Sequence, residues 1–207
     1  MALPLSLSVR TEAWPIAGSF SISRGAKTEA VVVAAELNDG RHRGCGECVP
    51  YARYDETVTS VLNALKAMID PLGRGLDRKG LQQAMPPGAA RNALDCAFWD
   101  LEAKRAGKPA HMLAGLASMK PLTTAYTISL GTAAAMAEAA AKVSHRALLK
   151  IKLGAPGDPE RIRAIRQAAP QAELIADANE GWTADNLAEN LAACARSEEH
   201  TSELQSP

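Results

Sequence analysis

Two lysines separated by one residue, with an aspartate on the next predicted strand, are the side chains best placed to do chemistry. Lys150 and Lys152 end a short apolar run, and Asp177 ends a second such run. Short apolar runs that stop at charged residues and glycine are typical of strands buried on both faces in α/β folds. Because side chains alternate along a strand, the two lysines point the same way and Ile151 faces the other layer. Two ammonium groups beside a carboxylate suggest proton abstraction assisted by a metal.

The elements that position these residues alternate between strand and helix from about Pro121 onward. The pattern predicts three strands, each followed by a helix, over residues 122–128, 147–153 and 172–177. Thr132 and Asp158 are placed to cap the first two helices, because their side-chain oxygens can accept from free backbone N–H groups. Short connections between alternating strands and helices favour a parallel sheet, either open or closed into a barrel.

The chain before Pro121 has a different organisation. Strand patterns cover residues 5–9 and 30–37, and helix patterns cover residues 57–69 and 89–106. The turn signal at 38–40 predicts an antiparallel hairpin. Segment 18–25, rich in glycine and serine, is predicted to be flexible.

Composition and charge disfavour several classes of partner. Lys plus Arg and Asp plus Glu each number 23, so no basic field attracts nucleic acid or anionic lipid. No run approaches the ~18 apolar residues of a membrane span. The N-terminus lacks the pattern of a signal peptide, so we expect four reduced cysteines in a cytoplasmic protein.

Cys45 and Cys48 form a C-G-E-C motif that could indicate a metal or redox site. No second pair at zinc spacing follows, and the motif does not open a helix as a thioredoxin site does. We therefore interpret them as strand-end thiols, one or both of them buried.

Short motifs that belong together lie in order from residue 12 to about residue 195. They are E-A-W-P at 12–15, S-I-S-R-G at 21–25, G-E-C-V-P-Y at 46–51, G-A-A-R-N-A-L-D-C-A-F-W-D-L at 88–101, K-I-K-L at 150–153 and D-A-N-E-G-W at 177–182. Together they resemble the enolase superfamily, within it the muconate-lactonising subgroup, and most closely the L-Ala-D/L-Glu dipeptide epimerases. A single motif such as K-x-K would be a weak signal.

The resemblance implies a fold and a location for the active site. Residues 1–120 would form an α+β capping domain, and residues 121–195 the first three βα units of a (β/α) barrel, an incomplete TIM-like barrel. The site would lie at the carboxyl ends of the barrel strands.

The resemblance also implies a role for five residues. Lys152 would be the catalytic acid/base that takes or returns the α-proton of the second residue of a small dipeptide. Lys150 would contact the substrate carboxylate and help to lower the pKa of Lys152, and Thr127 and Arg24 would be further substrate contacts. Asp177 would be the first of three carboxylate ligands to one Mg²⁺.

Physical chemistry agrees with these implied roles. An α-proton beside a carboxylate is very weakly acidic, so the enolate needs divalent charge on its oxygens. A lysine with an ordinary pKa of ~10.4 must be brought toward ~7–8 to act as a base, and a neighbouring ammonium and a metal do so. A Lys or His base with Mg²⁺ is the described pattern of enolase-superfamily sites.

The chain departs from the family pattern in its length. A full barrel takes about 250 residues, whereas three βα units are predicted here. The resemblance requires a Glu, an Asp and an opposing Lys after the fourth, fifth and sixth strands, which are missing. We therefore expect this chain to be an inactive fragment that holds Mg²⁺ poorly. An open strand edge and an exposed apolar face would also favour aggregation.

The last residues, 196–207, match nothing in the family. They resemble the translation of a sequencing-adapter oligonucleotide, so we expect a non-native tail that should be excluded from fold reasoning.

Other functions remain open at this point. o-Succinylbenzoate synthases, N-acylamino-acid racemases and muconate cycloisomerases share K-x-K, although Arg24-Gly25 and D-A-N-E-G-W favour the dipeptide branch. A non-catalytic binding module is the alternative from another class. A doubly wound cofactor-binding domain is disfavoured because no G-x-G-x-x-G follows a strand. The full-length parent could be an oligomer.

Overall fold

Two compact units make up the computed structural model, which describes residues 4–22, 25–196 and 200–201. The first unit contains the described residues up to Pro15 and Glu29–Lys120. The second contains the described residues of Ile16–Thr28 and those from Pro121 onward. The second unit is therefore assembled from two separate stretches of the chain.

Three neighbouring strands form the first sheet, in the order β1 (Ser6–Ile22), β2 (Gly25–Asn38) and β3 (Arg43–Cys48). β2 and β3 are antiparallel, with Val33 opposite Cys48 and Asn38 opposite Arg43, which confirms the predicted hairpin. Asp39 stabilises the turn, because its Oδ1 accepts from the backbone N–H groups of Arg41 and His42.

The prediction of a flexible segment at 18–25 is wrong for its described residues. β1 continues to Ile22 and β2 begins at Gly25. Pairing with a neighbouring strand satisfies the backbone of glycine and serine as well as that of any other residue, so tertiary context overrides their low strand propensity.

Helices cover the first sheet. They are α1 (Val58–Lys66), α2 (Ile69–Gly73), α3 (Arg78–Ala84), α4 (Ala89–Ala106) and α5 (Ala110–Leu113), with a 3₁₀ turn at Ala52–Tyr54. α4 has the predicted bounds. The helix predicted over 57–69 is shorter, since α1 ends at Lys66 and a second helix begins at Ile69. α3 was not predicted.

Helix α4 packs directly on strand β3, and two glycines allow the contact. A Cβ built on Gly46 would overlap the carbonyl oxygen of Ala93 and lie 2.7 Å from the backbone nitrogen of Ala97. A Cβ on Gly44 would overlap the Ala97 carbonyl oxygen. Large buried leucines fill the core beside this contact, among them Leu37, Leu65, Leu72, Leu81, Leu94 and Leu101.

The two cysteines of C-G-E-C lie in different environments. Cys45 is exposed and Cys48 is buried, and both are free thiols, which confirms the interpretation that at least one is buried. Burial, and then the negative charge of Glu56, raises the pKa of Cys48 to about 11. Only a thiolate is an effective nucleophile, so both the burial of Cys48 and its raised pKa protect it from alkylation.

We expect iodoacetamide at pH 8 to alkylate Cys45 at least ~100-fold faster than Cys48 in the folded protein, because the nucleophilic thiolate of Cys48 is both scarce and shielded. Peptide mass spectrometry at increasing labelling times measures both rates, and unfolding in urea is the control in which the rates should converge. Equal labelling of the two thiols in the folded chain would contradict the described burial.

The second unit is built on a parallel sheet, as the sequence predicts. Its strands, in order, are β4 (Tyr126–Ile128), β5 (Leu148–Lys152), β6 (Glu173–Asp177) and β7 (His200–Thr201). Helices α6 (Ala133–Lys142), α7 (Asp158–Ala168) and α8 (Ala184–Arg196) follow the first three strands. β4 is shorter than its pattern suggested, and Leu122 is almost fully exposed. β7 lies in the predicted non-native tail, most of which falls outside the described residues.

The two faces of this parallel sheet differ in chemistry. Ile128, Ile151 and Ala176 are neighbours in register, and their side chains join the core formed with the helices. By the alternation of side chains, the opposite face carries Thr127, Lys150, Lys152 and Asp177. The helices pack on one face of the sheet, so the opposite, polar face carries the side chains that could take part in a reaction.

The two predicted helix caps have different outcomes. Thr132 caps α6, since its Oγ1 accepts from the N–H of Ala135 at 3.2 Å. Asp158 does not cap α7, and that prediction is wrong. The residue before α7 is Gly157 in the left-handed region (φ 87°), and the buried Asp158 side chain accepts instead from groups in the strand–helix connections. No helix in the described part of the chain is both long and apolar enough to cross a membrane.

Candidate active site

Lys150, Lys152 and Asp177 meet at the carboxyl ends of β5 and β6. Lys152 is the register partner of Asp177. The Nζ atoms of both lysines lie 2.8 Å from the same oxygen, Asp177 Oδ2. The other oxygen, Oδ1, accepts from the backbone N–H of Asn179 at 3.0 Å. The structure therefore brings together three of the residues singled out from the sequence.

The two lysines are not equivalent. The side chain of Lys152 is 9% exposed and that of Lys150 is 35% exposed. The ring of Phe20, on β1 within the second unit, lies 5.6 Å from Lys152 Nζ in a cation–π arrangement. Lys152 is thus the ammonium group better shielded from water, and Lys150 the one more open to a ligand.

The sequence reasoning missed Phe20. It lies in the segment that was predicted to be flexible, and an aromatic residue between glycine and serine residues was the available signal. Cation–π contact with a lysine more than 100 residues away leaves no pattern in a single sequence.

The carboxyl group of Asp177 is strongly acidic in this cluster. Burial raises its pKa, but the hydrogen bonds from Lys150 and Lys152 and from the N–H of Asn179 together outweigh burial and lower the pKa to about 2. A carboxyl pKa that is lower in the folded than in the unfolded state stabilises the fold above the unfolded value, 3.8. That stability is lost as the pH falls from about 4 toward 2.

We expect Asp177→Asn to lower the free energy of unfolding by about 1 kcal/mol at pH 6, a figure reduced for the partial exposure of the group. The difference from the wild type should shrink as the pH falls toward the pKa of about 2, where Asp177 becomes protonated. Urea unfolding at pH 6, 4 and 2.5 measures it. Glu138→Gln, at a pair exposed on α6, is the matched control and should have no measurable effect. A difference that stays constant with pH would contradict the assignment.

The remaining two predicted residues have different outcomes. Thr127 on β4 is the register partner of Lys150 and is half-buried on the same polar face of the sheet. Arg24 lies outside the described residues.

The described residues do not by themselves make a Mg²⁺ site. Magnesium prefers near-octahedral coordination by oxygen ligands. Within the described ranges, no three His, Cys, Asp or Glu side chains come together as such a site requires. Asp177 is one carboxylate, and hydrogen bonds from two ammonium groups and a backbone N–H occupy its oxygens. The arrangement instead provides a shielded ammonium group that can donate a proton, or accept one once deprotonated.

Known proteins with similar sequences share this architecture. The Escherichia coli K12 protein named L-Ala-D/L-Glu epimerase is 44% identical over 185 residues, which are 88% of this chain and 58% of that protein. A crystal structure of an enolase family member from Agrobacterium tumefaciens, with homology to dipeptide epimerases and with bound sodium and L-Ala-L-Glu, is 50% identical with a TM-score of 0.91. The match covers 95% of this chain and 60% of the Agrobacterium chain.

A third similar protein was solved with magnesium. The dipeptide epimerase of Cytophaga hutchinsonii, complexed with Mg and D-Ala-L-Val, is 26% identical with a TM-score of 0.86, and the match covers 97% of this chain and 58% of that one. This chain therefore spans about three-fifths of the length of these relatives.

The family assignment rests on the first unit as well. The sequence model of the mandelate racemase / muconate lactonizing enzyme N-terminal domain matches residues 5–115, more than half of the chain. The chain therefore belongs to the mandelate racemase / muconate lactonizing enzyme family of the enolase superfamily.

Proposed function

We propose that this chain supplies one half of the active site of a dipeptide epimerase. Residues 1–120 are the capping domain, and residues 121–195 are the first three βα units of a (β/α) barrel. The contact of Lys150 and Lys152 with Asp177 at the carboxyl ends of parallel strands carries the proposal, because active sites of barrel enzymes lie at that end. The similarity to proteins named dipeptide epimerases supports the substrate class.

Each residue of the cluster has a role in this proposal. Lys152 is the acid/base for the α-proton of the dipeptide's second residue, and its burial keeps competing water away. Lys150, which is more exposed, binds the substrate carboxylate, since a charged group there can reach a ligand. Thr127 and Arg24 are further substrate contacts.

Asp177 is proposed as one carboxylate ligand of a Mg²⁺ ion, with the other ligands outside this chain. The structure of a relative with Mg supports a metal in the family. When bound, such an ion stabilises negative charge on the substrate carboxylate. Proton transfer through this half of the site still depends on Lys152, and epimerisation needs a second acid on the opposite face of the substrate.

Proton exchange in D₂O tests the proposal. We expect the 207-residue chain with Mg²⁺ to leave the α-protons of L-Ala-L-Glu unchanged in ¹H NMR spectra. A fusion of residues 1–195 to the remaining part of the E. coli relative should exchange the glutamate α-proton, because it completes the site. Turnover by the 207-residue chain alone would overturn the half-site proposal.

The substrate is tested separately with the same fusion protein. L-Ala-L-Glu, N-acetyl-L-glutamate and o-succinylbenzoate precursors distinguish the dipeptide branch from the other branches of the subgroup. Exchange confined to the N-acyl compound would replace epimerisation by N-acylamino-acid racemisation, although the E. coli half of the fusion also contributes to selectivity. The purified full-length parent of this chain therefore serves as the final comparison.

A further inference from the structure

A buried aspartate links two of the connections that follow the strands of the second unit. Asp158 Oδ2 accepts from the backbone N–H of Gly154 at 2.7 Å and from Trp182 Nε1 at 2.7 Å. Gly154 lies just after β5, two residues beyond Lys152, and Trp182 lies between β6 and α8, five residues beyond Asp177. One carboxylate oxygen thus ties together the chain segments that follow both residues of the candidate site.

An arginine extends this link to the third connection. Arg161 donates from Nη1 to Asp158 Oδ1 at 3.0 Å and to the carbonyl oxygen of Pro156 at 2.7 Å. Its Nε donates to the carbonyl oxygen of Gly131, between β4 and α6, at 2.7 Å. The Asp158–Arg161 pair therefore contacts all three strand-to-helix connections of the unit.

The pair is well shielded, which makes its loss costly. The side chain of Asp158 is 1% exposed and that of Arg161 is 15% exposed. Removing one partner of a buried pair leaves an uncompensated charge in the protein. The two connections also pack closely against each other, because a Cβ on Gly181 would lie 2.5 Å from the Cα of Gly154.

A short path connects the pair to the candidate site. The backbone N–H of Leu153, which follows Lys152, donates to the carbonyl oxygen of Asp177 at 2.9 Å. A shift of Gly154 or of the Trp182 segment would therefore move the end of β5 relative to the end of β6. The 2.8 Å contact between Lys152 and Asp177 depends on that register.

We propose that Asp158 and Arg161 are positioning residues, which fix the three strand-to-helix connections and thereby hold Lys152 in contact with Asp177. The inference deepens the proposed function and rests on it for the role of Lys152. Neither residue touches the cluster, so their effect acts through the connections.

Asp158→Asn tests the proposal in the 207-residue chain. It keeps the shape of the side chain but removes the charge, and its single carbonyl oxygen can accept either from Gly154 and Trp182 or from Arg161, while the NH₂ group on the other side cannot accept. The readout is the ¹⁵Nζ–H signal of Lys152 in lysine-labelled protein near pH 6, which is visible while the ammonium group is held by Asp177. We expect Asp158→Asn to increase the hydrogen exchange of this ammonium group by about tenfold, as local opening does elsewhere in proteins.

Two further variants make the result decisive. Ile165→Val shortens a fully buried side chain on the same helix, so it should lower the stability without changing the Lys152 signal. Trp182→Phe retains an aromatic ring and removes one donor, so it should give a smaller increase, and it replaces Asp158→Asn if that variant does not fold. A Lys152 signal unchanged in Asp158→Asn and in Trp182→Phe, with lowered stability, would overturn the proposal and leave a purely structural pair.

The readout is independent of turnover. Failure of proton exchange by the fusion protein would count against the proposed function without altering the Lys152 signal. An unchanged signal would count against the positioning role without altering the fusion's activity.

Discussion

Lys152→Met in the fusion protein should lower the rate of α-proton exchange by about 10²- to 10⁴-fold, the usual contribution of a general acid or base. Methionine keeps the length and apolar stem of the side chain and removes only the group that carries the proton. Because Lys152 is shielded from water, a solvent molecule cannot easily take over its role. Loss of the α-proton signal of L-Ala-L-Glu in D₂O measures the effect.

Two other lysines serve as comparisons. Lys142→Met removes an exposed lysine on α6 and should leave the exchange rate unchanged. Lys150→Met should act mainly on KM, because we assign Lys150 to the substrate carboxylate. If Lys152→Met kept a rapid α-proton exchange and Lys150→Met lost it, the two roles would be reversed.

Gly46→Ala should lower the free energy of unfolding of the first unit by more than about 3 kcal/mol, at or beyond the upper end of ordinary overpacking. The added methyl group would meet the backbone of α4 at Ala93 and Ala97, and not the end of a flexible side chain. Either the helix moves away from β3 and opens the core around Leu94, or the unit fails to fold.

Gly73→Ala is the matched control for this substitution. Gly73 is the last residue of α2, its φ is not in the left-handed region, and nothing lies within 4 Å of a Cβ built there. Alanine has the higher helix propensity, so Gly73→Ala should be neutral or slightly stabilising. Urea unfolding followed by circular dichroism measures both variants, and equal effects would show that the β3–α4 contact is not as close as described.

The sequence predicts those elements whose signals are local. α4 has an apolar stripe and a glycine at its end, so its bounds at Ala89 and Ala106 follow from the pattern. The strands of the second unit alternate with helices at ordinary lengths, so their parallel pairing follows as well. Because parallel strands end at the same edge of a sheet, the sequence also predicts that Lys150, Lys152 and Asp177 lie close together.

The sequence does not predict features that depend on distant partners. An aspartate before Pro159 is a good helix cap by local rules, yet Asp158 is used by Trp182 and Gly154 instead. Phe20 approaches Lys152 only because the end of β1 belongs to the second unit. In both cases a contact far along the chain outweighs a local preference, and one sequence does not record which contact wins.

The divided second unit has a consequence for synthesis. The backbone N–H of Leu130 donates to the carbonyl oxygen of Ser21 at 3.0 Å, which closes a loop of 109 residues (130 − 21). At the roughly 5–20 residues per second at which ribosomes extend a chain, Ser21 is made roughly 5–20 seconds before its partner. The entropic cost of closing a loop grows only slowly with its length, so the time of synthesis contributes more to the delay than the loop entropy does. During that interval the end of β1 and the start of β2 are exposed on the nascent chain, where a chaperone or a protease can reach them first.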